Sequence, residues 1–179
     1  MYIKLSFDPD IYPRIEEFRD LALKVRDSGN KMMFAGNGAS ASLAEHGAVD
    51  FTKQGKVRAI TFHDPNLMTC FANDFGYDYW VAKAIEHFAD PGDVVVLISC
   101  SGSSPSVVNA AKFAKERGLT VVSFTGRSES NPLKQLSDLA FWVHSDAYNL
   151  IENTHGIWIT AAIDLLIGNA VYETRALVC

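Results

Sequence analysis

Lys31-Met32-Met33-Phe34-Ala35-Gly36-Asn37-Gly38-Ala39-Ser40-Ala41-Ser42 opens on a short apolar run, breaks at two glycines and continues into a helical pattern. An apolar run, a glycine turn and a helix make the first half of a βαβ unit, which belongs to parallel sheets. Val94 to Ser99 repeats the pattern, and Cys100-Ser101-Gly102-Ser103-Ser104-Pro105-Ser106 leads it into a second helix. Working outward, candidate strands fall at Lys31 to Ala35, Arg58 to Phe62, Val94 to Ser99, Thr120 to Thr125 and Leu139 to Val143. Helical patterns occupy Ser40 to Thr52, Asp78 to Phe88 and Ser106 to Arg117, with shorter ones near Leu67 to Ala72 and Pro132 to Leu136. A last long helix is expected from about Asn149 to Tyr172, and Ile15, Phe18, Ala22 and Val25 mark an opening amphipathic helix that Gly29 stops. Five such strands imply an α/β three-layer sandwich with sheet order 2-1-3-4-5, in which ligands bind where the first and third strands end. The whole chain, 1–179, reads as one domain, with 1–29 as an N-terminal helical segment.

Both loops at that switch point suit an anion. Glycines permit close backbone approach, hydroxyls donate hydrogen bonds, and free N–H groups at a helix start carry partial positive charge. A phosphate monoester is the expected guest, although glycine and serine are also ordinary turn and cap residues. No G-K-[ST] follows either loop, and the first lacks the third glycine of a dinucleotide fingerprint.

The 179 residues carry 16 Lys and Arg against 21 Asp and Glu, a formal net charge of −5, with 48% apolar residues. An acidic chain without a basic block argues against a nucleic-acid surface. Cys70, Cys100 and Cys179 are odd in number and show no C-x-x-C pairing, so a reducing compartment, the cytoplasm, is expected. Asp164 interrupts the apolar C-terminal stretch, and neither a targeting segment nor a membrane span is expected.

Three motifs together, Gly36-Asn37-Gly38-Ala39-Ser40, Asn73-Asp74-Phe75-Gly76-Tyr77-Asp78 and Ser99-Cys100-Ser101-Gly102-Ser103-Ser104, resemble those of sugar-isomerase (SIS) domains, which are flavodoxin-like. The match is nearest to the phosphoheptose isomerases and runs from about Lys31 to Ile167. The resemblance implies a homotetramer with active sites between subunits. It implies an aldose-ketose isomerase turning sedoheptulose 7-phosphate into D-glycero-D-manno-heptose 7-phosphate for bacterial surface polysaccharides, lipopolysaccharide or capsule. By position, Ser99, Ser101 and Ser104 would hold the phosphate, with Cys100 where the family usually has threonine. Asn37, Gly38 and Ala39 would lie along the sugar, Ser40 near the phosphate, and Asn73 and Asp74 on sugar hydroxyls.

Moving a proton between adjacent carbons through an enediolate needs a base at carbon and an acid or hydrogen-bond donor at oxygen. His46 and Asp50 lie four apart on one helix face, and Asp50 falls on the family's catalytic glutamate. The family's glutamine and catalytic histidine fall on Glu152 and Thr160, so neither is retained. A threonine hydroxyl cannot shuttle protons near neutral pH as imidazole does. His155, three residues after Glu152, is the other candidate acid if the helix turns it inward. Glu152 is also assigned to the sugar. Some relatives bind zinc at these positions, so His46, Asp50 and Glu152 are candidate ligands, although no cofactor is required. His63, His87 and His144 read as surface or capping residues. Ile157, Ile159, Ala161 to Ile163 and Leu165 to Ile167 make the last helix apolar nearly all round, pointing to burial between copies of the chain. Two other readings stay open: a non-catalytic binding protein resembling the DnaA-initiator-associating protein, and an isomerase of another phosphosugar.

Overall fold

In the computed structural model, which describes residues 9–171, the five apolar runs form β1 (Lys31–Gly36), β2 (Arg58–Thr61), β3 (Val94–Ser99), β4 (Thr120–Gly126) and β5 (Leu139–Val143). Every neighbouring pair is parallel, as the alternation of runs and helices predicts, and the order is the expected β2-β1-β3-β4-β5. Because both faces of a parallel sheet are covered, its central strands lose the polar alternation of a half-exposed strand. β1 and β3 are buried at every position.

The helices are α1 (Tyr12–Ser28), α2 (Ala39–Lys53), α3 (Pro65–Phe75), α4 (Trp80–Phe88), α5 (Pro105–Glu116), α6 (Pro132–Leu136) and α7 (Tyr148–Ile167). One face of the sheet packs Met32, Phe34, Val96 and Phe124 against Phe18 of α1, Phe51 of α2 and Trp158 of α7. The other packs Met33, Ala35, Val95 and Leu97 against Trp80 and Ile85 of α4 and Val107 and Ala111 of α5. Alternate residues of β1 and β3 thus serve opposite cores, a direct result of the two-residue period of a strand.

Three helix boundaries differ from expectation. α3 begins earlier than Leu67 because Asp64 caps it, accepting from the backbone N–H groups of Asn66 and Leu67. α4 begins at Trp80, after a turn in which the Tyr79 N–H bonds to the Gly76 carbonyl. α7 stops at Ile167, where Gly168 takes a left-handed φ of 78° and its N–H bonds to the Asp164 carbonyl; Tyr172 lies outside the described residues, as does Cys179. Among the described residues no helix is long and apolar enough to cross a membrane.

β1 and β3 are tied at their N-terminal edge by Asp93, whose side chain is 1% exposed. It accepts hydrogen bonds from the backbone N–H groups of Lys31 and Asp90 at 2.9 and 2.8 Å, and pairs with Lys31 Nζ at 2.6 Å. Burial alone would raise the Asp93 pKa, but the Lys31 ammonium and these N–H groups hold it below the ordinary value of 3.8. A depressed carboxylate contributes stability above its unfolded pKa and loses it as pH falls through the folded one. Asp93→Asn should therefore lower unfolding free energy by about 3 kcal/mol, in the range for breaking a buried pair. In urea titrations the gap between variant and wild type should narrow below about pH 4.

Candidate active site

At the opposite edge, β1 and β3 deliver the two loops side by side, as a switch point requires. Gly36 ends β1 so close to the next turn that a Cβ there would lie 2.7 Å from the Ser40 carbonyl carbon. His63 closes this loop from behind: its Nε2 sits 3.1 Å from the Gly36 carbonyl, and burial holds its pKa below the ordinary value. With its side chain 5% exposed, His63 is thus a loop support rather than a surface or capping residue. Gly38, with φ of 58°, caps α2, so Ser40 lies inside the helix instead of capping it. Asn37 is fixed at both ends of its amide, donating to Ser106 Oγ at 3.0 Å and accepting from the Tyr77 hydroxyl at 2.9 Å.

The second loop gathers hydroxyls. Ser99 Oγ lies 3.5 Å from Ser101 Oγ and 3.3 Å from Ser104 Oγ. Ser104 is the N-cap residue of α5, yet its side chain makes no capping bond, so its hydroxyl stays with the other two. The loop turns at Gly102, with φ of 61°, over the buried Asn131. Asn131 donates to Thr125 Oγ1 and the Ser128 carbonyl and caps α6 through the Lys134 N–H.

These residues line one cavity of about 340 Å³: Asn37, Gly38, Ala39 and Ser40 from the first loop, Ser99, Cys100, Ser101 and Ser104 from the second, and Tyr148 and Glu152 from α7. Cys100 donates its Sγ–H to Glu152 Oε1 at 3.6 Å. Burial, reinforced by the Glu152 charge, pushes the thiol pKa up to about 11, so the sulfur keeps its proton. A larger cavity of about 490 Å³ lies across the loop, lined by Ser101, Ser103, Arg127 and Asn131; Arg127 there faces Asp146 at 3.7 Å. The smaller cavity is the one at the switch point.

The remaining expected site residues lie elsewhere. His46 and Asp50 pair at 3.3 Å, but Asp50 is ten residues beyond Ser40 on α2, about 15 Å along the axis. It faces α7, where burial and the Asp50 charge raise the Asp164 pKa. Asn73 and Asp74 are exposed on the last turn of α3 and bond to each other at 2.9 Å. Thr160 donates back to the carbonyls of Gly156 and Ile157, occupying the hydroxyl within its own helix.

His155 corrects an expectation. The helix does turn it inward, but into the core: it is fully buried, its Nε2 is 3.0 Å from the Thr125 carbonyl, and it meets Phe124 edge-on. Burial pushes its pKa down to about 4, so it is a neutral core residue and not the missing acid. The zinc ligand set also fails to assemble within one chain. Glu152 lies at the cavity while His46 and Asp50 lie along the helix seam, and among the described residues no three His, Cys, Asp or Glu converge on a metal position. Tyr148, which no sequence motif marks, stands four residues before Glu152 and therefore on the same helix face.

The SIS domain model matches residues 10–126, which contain both loops. A probable phosphoheptose isomerase from Thermoplasma acidophilum is 38% identical over 150 residues, covering 79% of this chain and 82% of its own. A phosphoheptose isomerase from Geobacter metallireducens is 34% identical over 168 residues, covering 90% and 88%. The solved structure of phosphoheptose isomerase GmhA from Neisseria gonorrhoeae superposes with a TM-score of 0.81 at 30% identity, covering 87% of each chain. Sheet order, paired switch-point loops and sequence agree: the chain belongs to the SIS domain family.

Proposed function

We propose that the chain is a sugar-phosphate isomerase acting on a seven-carbon ketose phosphate, sedoheptulose 7-phosphate, to give the corresponding aldose phosphate. One observation carries the reading: three serine hydroxyls and a doubly anchored asparagine converge in a single cavity at the switch point. A phosphate monoester suits the serine cradle, since three donors and the α5 start meet its oxygens without a cation. The relatives named phosphoheptose isomerase support the seven-carbon sugar.

Proton transfer at carbon falls to Asp50, oriented by His46. Both stand outside the cavity of their own chain, and the two helices there, α2 and α7, also expose Val49 and Leu165. Exposed apolar residues beside an ionisable pair suit a contact between copies. In a homotetramer that contact brings Asp50 to the sugar of a neighbouring cavity. Asn73 and Asp74, also exposed, meet sugar hydroxyls in the same assembly. A second reading, a phosphosugar-binding protein without catalysis, draws on Thr160, whose hydroxyl is spent on its own helix.

The two readings part on deuterium exchange at C1 of sedoheptulose 7-phosphate, which an isomerase catalyses and a binding protein does not. Asp50→Asn should cut exchange at least about 100-fold, the usual contribution of a general base, while phosphate still raises Tm as in wild type. Wild-type exchange in that variant removes Asp50 from the chemistry. Ser101→Ala with Ser104→Ala should instead weaken ligand binding in calorimetry, each lost bond to a charged group contributing roughly 1.5 to 3 kcal/mol. Unchanged affinity places the phosphate elsewhere.

A further inference from the structure

Among the described residues, Glu152 is the only carboxylate that lines the switch-point cavity. One of its oxygens, Oε1, is held by the Cys100 thiol, and among the described residues no protein group bonds Oε2. Cys100 is itself fixed from three sides. Its neighbours in the chain, Ser99 and Ser101, belong to the hydroxyl cluster, its carbonyl accepts from the Gly126 N–H, and its thiol also meets the Ser40 hydroxyl. The cavity therefore presents a carboxylate anchored at one oxygen and open at the other, one residue away from the phosphate cradle. The other titratable side chains facing it, Cys100 and Tyr148, are a thiol that keeps its proton and a phenol on the same face of α7.

An α-hydroxy ketone that becomes an aldose needs two proton movements. The carbon proton leaves C1 and arrives at C2, while the O1 hydroxyl loses its proton and O2 gains one. Thr160 is engaged with its own helix and His155 is in the core, so neither carries the oxygen proton. We propose that Glu152 is the proton relay between O1 and O2, and that Cys100 is the residue positioning it. As Asp50 removes the C1 proton, the C–H electron pair forms the C1–C2 double bond and the carbonyl pair moves onto O2. Glu152 Oε2 accepts the O1 proton and returns it to O2. Asp50 then returns its proton to C2 as the O1 electrons form the aldehyde. Both carboxylates end as they began, and no oxidant or reductant takes part. The proposal rests on the isomerase reading and assigns the half of its chemistry that Asp50 does not perform.

A relay at oxygen has a signature that a base at carbon lacks. Without it the enediolate still forms and collapses back to ketose, so C1 continues to exchange with solvent while aldose does not accumulate. The test measures both rates for wild type, Glu152→Gln, Glu152→Asp, Cys100→Ala and Cys100→Ser, with sedoheptulose 7-phosphate as probe. Glu152→Gln should lower conversion at least 100-fold, with C1 exchange within tenfold of wild type and KM unchanged. Glu152→Asp should recover at least tenfold over the amide. Cys100→Ala should lower kcat about tenfold at constant KM, and Cys100→Ser, which keeps a donor, should restore most of it. Conversion within threefold of wild type in Glu152→Gln, or parallel loss of exchange and conversion, overturns the relay while leaving the isomerase intact. Wild-type protein that is stabilised by the sugar phosphate yet neither exchanges nor converts it overturns the isomerase reading itself.

Discussion

The serine loop can take its shape only because residue 102 has no side chain. A Cβ at Gly102 would lie 1.9 Å from Asn131 Oδ1, and the left-handed φ there already excludes most residues without strain. Asn131 occupies that space because it is held by Thr125 at the end of β4, by the Ser128 carbonyl and by its cap on α6. One buried amide thereby fixes the loop after β3, the end of β4 and the start of α6 together. The hydroxyl cluster is a consequence of that contact, because Ser99, Ser101 and Ser104 converge only when the chain turns tightly at 102.

From there the site is held by polar bonds that cross between elements. Asn37 bonds Ser106 and Tyr77, joining the first loop to α5 and to the turn before α4, while Cys100 joins the second loop to α7 through Glu152. Such bonds are worth more in a partly enclosed cavity than at an open surface, and more still when each partner has its own support. The far edge of the sheet follows the same logic with charge instead of hydroxyls, since Asp93 draws Lys31 and two backbone N–H groups onto the beginnings of β1 and β3. The central strand pair is therefore pinned at both ends, at one by a buried ion pair and at the other by the loops that line the cavity.

Strand positions and sheet order were legible because β1 and β3 write their burial into unbroken apolar runs and the turns carry glycine. The loops were legible too, since nine of the residues they and α7 were expected to supply do meet in one cavity. What a linear pattern could not convey was direction. His155 and Glu152 are three residues apart on α7, and spacing alone places them near one face. The turn of the helix aims one at the cavity and the other at Phe124 in the core. Asp50 shows a different limit. Its position on α2 could be counted, but α2 runs away from the switch point, so the residue shares a chain with the cavity without lining it. The end of α7 escaped for a local reason: apolar residues continue to Ile167 and past it, and only the left-handed Gly168 ends the helix.

Among the described residues the cavity lining contains neither lysine nor arginine, and the chain carries a net charge of −5. A clefted enzyme with a basic rim draws in an anionic substrate through a long-range field, and added salt slows that capture. Under the proposed function the attraction would begin at contact, where N–H groups and hydroxyls would replace the water around the phosphate, against a chain whose net charge is negative. Screening by ordinary ions therefore shortens the reach of the repulsion without weakening the grip. Encounter with a doubly charged sugar phosphate would then quicken as ionic strength rises, the reverse of the dependence that a basic rim imposes.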